Sequence, residues 1–323
     1  MGQVLGHLLG TPGPSGFGSK STAEDVIENV ELHSKTVIIT GTTSGIGKET
    51  ARVFAKKGAH VIMAVRNTKL GEEMKHKFLE ETPNAIIDVM PLDLSSLASI
   101  RKFVEDFNAR NLPLNILINN AGVYVRKFEL SENGMEKIFA TNHIGPFLLT
   151  NLLLDKMKIT AKETNMEGRI VIVSSYAHFL APKEGITFDK LNEKTRHIHH
   201  VRYAQSKLAN ILYVKELSRH LQENGSNGTA NALHPGAIHT KMVNESMDLF
   251  MKFLVIILLG PFWKTISQAA ATTCYVATSP LLNNVTGKYF TNCNEDPHIS
   301  KLAKDPIMAS KIWKLSDEFV STH

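Results

Sequence analysis

The alternation of short apolar runs with longer amphipathic segments, which begins near residue 35, constrains the fold of this chain most strongly. The apolar runs are mostly continuous, a pattern typical of strands that are buried on both faces. Seven runs are predicted to be strands: 36–40, 60–65, 85–93, 115–122, 169–175, 229–236 and 287–292. The segments between them have helical spacing. This order predicts an α/β fold, with a doubly wound (Rossmann), mostly parallel seven-stranded sheet and helices on both faces.

The domain organisation is predicted to be simple. Residues 1–33 are expected to form an N-terminal arm, loose and rich in Gly, Pro and Ser up to about residue 20, followed by a short helix. Ser21 or Thr22 can cap that helix. Residues 34–323 are expected to form a single Rossmann-type domain, since no internal repeat and no second apolar core is visible.

Composition excludes several classes of function. The net charge is +5, and the sequence contains no block of like charges, so we expect no nucleic-acid partner. Two cysteines, Cys274 and Cys293, fit neither a metal-ligand spacing nor a disulfide framework. The apolar run at 253–263 is about half the length of a membrane-spanning helix. The N-terminus does not resemble a secretory signal, and a cytoplasmic location is therefore expected.

A glycine-rich segment follows the first predicted strand and precedes a helix. A dinucleotide pyrophosphate must approach the free N–H groups at a helix N-terminus, and residues without side chains permit that approach. The segment therefore predicts a phosphate-binding loop. Its cofactor-binding residues are expected to be Gly41, Thr43, Ser44, Gly45, Ile46 and Gly47.

The end of the second predicted strand indicates which dinucleotide binds. Enzymes that use NAD place an acidic residue there, which binds the ribose 2′-hydroxyl. Here Val65 holds that position and Arg66 follows it. A guanidinium is suited to a 2′-phosphate, so NADP(H) is the predicted cofactor.

A tyrosine and a lysine four residues apart indicate acid–base chemistry. Tyr203 and Lys207 fall on one face of a predicted helix, and a nearby cation lowers the pKa of a phenol. Of the six tyrosines, only Tyr203 has a lysine at this spacing. Ser175 ends the fifth predicted strand, where its hydroxyl can donate to a substrate oxygen. Ser174 is expected to face the other way.

The histidines at 197, 199 and 200 raise the question of a metal site. They lack a carboxylate or cysteine partner at a suitable spacing and lie in a polar segment. No metal is therefore expected.

Together these motifs resemble the short-chain dehydrogenase/reductase superfamily over roughly residues 35–295. The order is Thr40-Gly-x-x-x-Gly-x-Gly47, Asn119-Asn-Ala-Gly122, Ser175, Tyr203-x-x-x-Lys207 and His234-Pro-Gly236. FATNHIGPFLLTNLLLD and AATTCYVA are similar to the retinol-dehydrogenase-like branch, and in particular to its plant members associated with the translocon of the chloroplast inner envelope.

The resemblance implies roles for further residues. Asn142 joins Ser175, Tyr203 and Lys207 in the catalytic set, where it would hold a water that connects Lys207 to solvent. Tyr203 and Lys207 also contact the cofactor. The remaining implied cofactor contacts are Asp93, Leu94, Asn120, Ala121, Gly122, Pro235, Gly236 and Thr240.

The resemblance also implies a substrate side, formed by an insertion at 176–202 and a lid at 238–266. Its Met, Phe and Leu content favours an apolar carbonyl or alcohol as substrate. The expected activity is hydride transfer between NADP(H) and such a substrate. The alternative is an NADP-binding, redox-sensing subunit of a membrane complex, located at the chloroplast envelope or another membrane surface. Peripheral membrane contact and the choice between monomer and homo-oligomer stay open.

Overall fold

A computed structural model describes residues 10–193, 199–237 and 263–323. Within these ranges, one eight-stranded sheet has the order β3-β2-β1-β4-β5-β6-β7-β8. All neighbouring strands are parallel except β7 and β8. The strands are β1 (Thr36–Thr40), β2 (His60–Val65), β3 (Ile86–Pro91), β4 (Ile116–Asn119), β5 (Gly168–Val173), β6 (Gly228–His234), β7 (Tyr289–Thr291) and β8 (Asn294–Glu295).

Helices connect most of the strands. They are α1 (Ala23–Ile27), α2 (Gly45–Lys56), α3 (Thr68–Glu81), α4 (Leu97–Ala109), α5 (Lys137–Phe139), α6 (Gly145–Thr164), α7 (Phe188–Leu191), α8 (His199–Glu223), α9 (Ile266–Thr278) and α10 (Pro306–Thr322). A π-helical turn at Ala140–Ile144 joins α5 to α6, and a 3₁₀ turn at Tyr176–Leu180 follows β5.

Helices cover both faces of the sheet, which explains the continuous apolar runs. Successive strand residues enter different cores: Ile38 packs with α4, α6 and α8, whereas Val37 and Ile39 pack with α1, α2 and α9. All three side chains are fully buried. The predicted doubly wound architecture is therefore confirmed.

The number of strands differs from the predicted seven, because β8 adds a short antiparallel strand at the edge. Two residues with positive φ, Asn292 (49°) and Cys293 (62°), form the turn between β7 and β8. Tight hairpin turns need this backbone conformation, which glycine usually supplies. A polar two-residue strand after a turn without glycine carries no hydrophobic pattern, and the sequence therefore did not predict it.

The part of the N-terminal arm that the structure describes packs against the sheet edge rather than lying loose. The Asn294 side chain accepts a hydrogen bond from Ser15 N at 3.0 Å and donates one to Phe17 O at 2.9 Å. The ring of Phe17 contacts Tyr275 of α9, with 6.2 Å between centroids. Of the two expected caps, Thr22 caps α1, through a reciprocal capping box with Asp25.

The carboxyl ends of β1 and β4 define the crevice where a site is expected. From β1 the strand order continues through β2 to β3 on one side, and from β4 it continues through β5 to β8 on the other. The point where the order reverses is a topological switch point, and ligands bind there in sheets of this type. The expected lid at 238–266 lies mostly outside the described residues, as do residues 194–198 of the expected insertion. Among the described helices, none is long and apolar enough to cross a bilayer.

Candidate active site

The loop between β1 and α2 leaves an open helix N-terminus at the crevice. Helix α2 starts at Gly45, and its N-cap Ser44 makes no side-chain capping hydrogen bond. Gly45 has φ 57°, and a Cβ there would meet nothing within 4 Å. The first N–H groups of α2 therefore lack a side-chain cap, and the space beside Gly45 is open, which suits a bound anion such as a pyrophosphate.

In the sequence analysis, Gly41 and Gly47 were assigned to the close approach of the pyrophosphate. The structure shows that they are needed for close packing of the loop itself. A Cβ at Gly47 would lie 2.3 Å from Asn120 Nδ2 and 2.4 Å from Gly41 O. A Cβ at Gly41 would lie 3.0 Å from Ala121 Cα. These two glycines let the loop pack directly on the segment that follows β4.

Thr40 holds these two loops together, a role that the sequence analysis did not assign. The buried Thr40 hydroxyl accepts hydrogen bonds from Asn120 N at 3.0 Å and Ala121 N at 2.9 Å. Asn120 Nδ2 in turn donates to Thr40 O at 2.9 Å. The sequence offered one sign of this role: Thr40 is a polar residue at the end of a strand that is otherwise apolar and buried.

Arg66 lies at the same edge of the sheet. Gly41 N donates to Ala64 O at 3.1 Å, which brings the end of β2 beside the glycine loop. Val65 is buried and Arg66 is exposed. The guanidinium is therefore available at the rim of the crevice.

Asp93 and Leu94 follow β3 at this edge. Oδ1 of Asp93 accepts hydrogen bonds from Ser95 N at 2.9 Å and Ser95 Oγ at 2.7 Å, so the carboxylate orders its own turn. Leu94 is buried, and a Cβ at Gly145 would lie 2.3 Å from its carbonyl oxygen. Gly145 thus permits the start of α6 to pack against this turn.

Ser175, Tyr203 and Lys207 come together at the carboxyl end of β5. The Ser175 side chain lies close enough to the Tyr203 hydroxyl to lower the pKa of that phenol. Lys207 Nζ donates to Val173 O at 3.0 Å and lies 5.5 Å from the centroid of the Tyr203 ring. Helix α8 presents both residues on one face, as their spacing implies.

Burial governs the protonation of this group. It raises the pKa of Tyr203 to about 12, whereas the lysine spacing had predicted a lowered pKa; the Ser175 side chain acts in the lowering direction but is outweighed by burial. It lowers the pKa of the Lys207 ammonium, which is 3% exposed, to about 8. Near neutral pH the pair is therefore a protonated phenol beside a cation, an arrangement that can donate a proton.

Asn142 lies in the π-helical turn and is buried. Its amide accepts from Val123 N at 2.7 Å and donates to Val123 O at 3.0 Å and Ser206 Oγ at 3.1 Å. Pro146 has no N–H, so the Asn142 carbonyl lacks the donor that an α-helix supplies four residues on. π-turns of this kind are frequent at functional sites.

Gly122 lies between Asn142 and Lys207. A Cβ there would lie 3.3 Å from Asn142 Oδ1 and 3.5 Å from Lys207 Nζ. Gly122, Asn142 and Lys207 are therefore direct neighbours at the floor of the crevice.

Two further residues position the catalytic group and were not singled out by the sequence analysis in these roles. Ser174 Oγ donates to Lys207 O at 2.7 Å, which ties β5 to α8. The buried His178 lies with Nδ1 2.7 Å from Ser175 O, and its Nε2 accepts from Ser300 N at 3.2 Å. No local pattern marks His178, because Ser300 lies 122 residues further along the chain.

The segment after β6 borders the crevice on the other side. Pro235 is buried and Gly236 has φ 105°. Lys264 N donates to Ala237 O at 2.9 Å, which joins the two ends of the segment that is not described. Thr240 belongs to that segment and lies outside the described residues.

Apolar side chains are exposed next to Ser175. Tyr176, Phe179 and Leu180, in the 3₁₀ turn after β5, are 41%, 50% and 67% exposed. The Tyr176 ring also lies against His234, with 4.2 Å between centroids. We call these three residues the apolar rim. Elsewhere at the site, Tyr124 contacts Tyr203 and His199 through ring edges.

The described parts of the chain contain no group of three or more His, Cys, Asp or Glu residues placed to hold a metal ion. His199 instead contacts Tyr124 at 5.3 Å between centroids.

This combination of a doubly wound sheet, an open glycine loop and a Ser–Tyr–Lys group defines a dinucleotide-binding oxidoreductase. Residues 35–188 match the model of the short chain dehydrogenase family. The chain is 52% identical to "Short-chain dehydrogenase TIC 32 B, chloroplastic" from Brassica napus, with 99% of each chain covered. The protein belongs to the short-chain dehydrogenase/reductase family, and its retinol-dehydrogenase-like character is confirmed by a second relative. That relative is human "Retinol dehydrogenase 12", 38% identical over 90% of this chain and 88% of its own length.

A solved structure supports the same assignment. An uncharacterized protein from Mycobacterium paratuberculosis superposes with a TM-score of 0.71 at 32% identity. The match covers 94% of this chain and 98% of that one.

Proposed function

We propose that this protein is an NADP(H)-dependent oxidoreductase that transfers a hydride between the nicotinamide and a lipophilic carbonyl or alcohol. The observation that carries the proposal is the convergence of Tyr203, the buried ammonium of Lys207 and Ser175 at the carboxyl end of β5. When bound, the dinucleotide supplies or accepts the hydride.

The chain's own residues manage the proton and the charge. In the reduction direction, the Ser175 hydroxyl donates a hydrogen bond to the substrate oxygen as negative charge develops on it. Tyr203 Oη transfers its proton to that oxygen. The positive charge of Lys207 stabilises the phenolate that remains. The roles reverse when an alcohol is oxidised.

The open N-terminus of α2 and the free space at Gly45 fit a dinucleotide pyrophosphate. The choice of NADP(H) rests on Arg66, which is exposed at the end of β2, where Val65 takes the place of an acidic residue. A guanidinium there can pair with a 2′-phosphate. The proposed contacts at Asp93, Asn120, Gly122 and Pro235 follow the same edge of the sheet.

The preference for a lipophilic substrate rests on the apolar rim. Its three exposed side chains begin one residue after Ser175, in the turn that follows β5 at the same end of the sheet. Covering them with an apolar substrate removes hydrocarbon from water.

Replacement of Tyr203 by phenylalanine tests the catalytic proposal. The variant loses the proton donor, and turnover of an apolar aldehyde with NADPH should fall at least ~100-fold, while NADPH affinity is nearly unchanged. Tyr213→Phe is the matched control, because Tyr213 is on the same helix and its hydroxyl interacts with Asn151 and Thr150 of α6 and with none of the catalytic residues. A Tyr203→Phe variant that keeps more than a few per cent of the rate would contradict the assignment.

Cofactor choice is tested by titrating NADPH and NADH into the parent and Arg66→Ala. The parent should bind NADPH at least ~10-fold more tightly, about 1.4 kcal/mol, and Arg66→Ala should remove most of that difference. Arg219→Ala serves as the control, since Arg219 pairs with Glu216 and Glu223 on an outer turn of α8. Equal affinity of the parent for both dinucleotides would reject NADP(H) selection.

We also propose a chloroplast location, supported by the name of the Brassica napus relative. Fractionation of leaf cells that express the tagged chain tests it, and recovery in the cytosol alone would reject it.

A further inference from the structure

A cavity of about 400 Å³ lies at the amino ends of β1, β4 and β5, on the opposite edge of the sheet from the active site. Its volume is in the range of sites that hold small organic ligands. One part of its wall is apolar and includes Leu32, Ile116, Ala277 and Pro280. The other part is polar and includes Lys35, Asn115, Glu167 and Arg169.

The charges in the polar wall do not balance. Glu167 already accepts hydrogen bonds from Arg169 Nε at 3.2 Å, Thr229 Oγ1 at 3.3 Å and Asn284 N at 2.6 Å. Its carboxylate therefore uses three of its roughly four acceptor sites within the protein, which leaves little for a cationic ligand. Arg169 and Glu167 offset each other, whereas Lys35 has no ion pair within the described parts of the chain. The wall thus carries one uncompensated positive charge.

Lys35 is in an unfavourable environment without a counter-ion. Burial, and then the charge of Arg169, lower the pKa of its ammonium. An anion placed between Lys35 and Arg169 would stabilise both cations.

Hydrogen-bond donors remain available in the same wall. The Arg169 guanidinium uses three of its N–H groups, toward Glu167, Ser279 O and Asn283 Oδ1. A guanidinium has five, so two are left. Asn115 is 3% exposed, and its Nδ2 has no hydrogen-bond partner, while its Oδ1 accepts from Thr36 N. A buried donor without an acceptor is unfavourable.

We propose that this cavity is a second binding site, which takes a small monocarboxylate with an apolar body. The carboxylate lies between Lys35 and Arg169, and the apolar body packs against Ile116, Ala277 and Pro280. The one uncompensated positive charge of the wall matches a ligand with a single negative charge. The volume of the cavity is larger than an inorganic ion fills, and its apolar wall favours a ligand with a hydrocarbon part. The site is independent of the hydride-transfer proposal, because its ligand does not enter the crevice.

The test is a titration of the ¹⁵N-labelled full-length protein with benzoate and with hexanoate, followed by TROSY spectra. We expect saturable shifts of the amides of Lys35, Asn115 and Arg169, with no comparable change at Gly45 and Gly122. Benzamide, which has the same shape as benzoate and no charge, should give no saturable shift there. Inorganic phosphate should bind at least tenfold more weakly than benzoate.

Lys35→Gln should weaken benzoate binding at least tenfold. Lys75→Gln is the matched control, because Lys75 is also half-buried but lies on α3, away from the cavity. The proposal is overturned if neither carboxylate shifts the cavity amides, if benzamide or phosphate binds as well as benzoate, or if Lys35→Gln binds like the parent. Folding of both variants is checked in the same spectra.

Discussion

His178 is held in a single protonation state by its two neighbours. Nδ1 faces the carbonyl oxygen of Ser175 and must donate, whereas Nε2 faces the N–H of Ser300 and must accept. The ring is therefore neutral, and burial lowers its pKa in agreement with this. Through its hydrogen bond to the Ser175 carbonyl oxygen, His178 fixes the backbone at Ser175. It acts as a positioning residue, since it does not reach the reacting atoms.

Replacement of His178 by phenylalanine should lower kcat about 10-fold, because misplacing a catalytic group by a fraction of an ångström weakens transition-state stabilisation. The dissociation constant for NADPH should change little, since the glycine loop is untouched. Steady-state kinetics and cofactor titration measure both quantities, with the exposed His76→Gln as control. If kcat is unchanged, or if cofactor binding is lost in parallel, His178 serves the fold and not Ser175.

At the scale of elements, the sequence predicted what depends on local geometry. Four-residue spacing places Tyr203 and Lys207 on one helix face whatever the rest of the chain does. Continuous apolar runs predicted seven strands, and all seven are present. Burial on both faces was wrong for β3, which lies at the sheet edge with Ile86 exposed. The contacts of Thr40 with Asn120, 80 residues away, and of His178 with Ser300 could not be predicted, because they depend on how distant segments meet.

The π-helical turn at Ala140–Ile144 was also not predictable. The family resemblance placed Asn142 in a helix, and Pro146 removes one helical donor there, but the contacts of Asn142 with Val123 and Ser206 depend on distant segments. Similarly, β8 is defined by its pairing with β7 and by the contacts of Asn294 with Ser15 and Phe17, which are distant in sequence. Short elements of this kind have too few residues for a periodic pattern.

Across the whole molecule, His143 joins three elements through a fully buried ring. It follows α5 in the π-turn, and its nitrogens lie 3.3 Å from Asn210 Oδ1 of α8 and 2.9 Å from Ser316 Oγ of α10. Burial lowers its pKa to about 4. The folded protein therefore binds fewer protons than the unfolded chain between pH 6.5 and 4.

This difference should make the protein less stable in acid. Above about pH 6.5 His143 is neutral in both states; as the pH falls, the unfolded chain takes up the proton first. Between about pH 7.5 and 5 the free energy of unfolding should fall by about 2 kcal/mol through this residue. Urea titrations at several pH values measure the slope. His143→Gln should flatten it and His76→Gln should not; an equal slope in the parent and His143→Gln would contradict the assignment.

The anchoring of the arm has a consequence for the time course of synthesis. The partners of Ser15, Phe17 and Lys20 beyond their own segment lie between Gln268 and Asn294, and Ser15 and Asn294 are 279 residues apart. At translation rates of about 5–20 residues per second, the arm therefore waits roughly 14–56 s for its docking surface. During that interval, residues that later become part of the folded edge remain accessible to any factor that recognises an extended N-terminal segment.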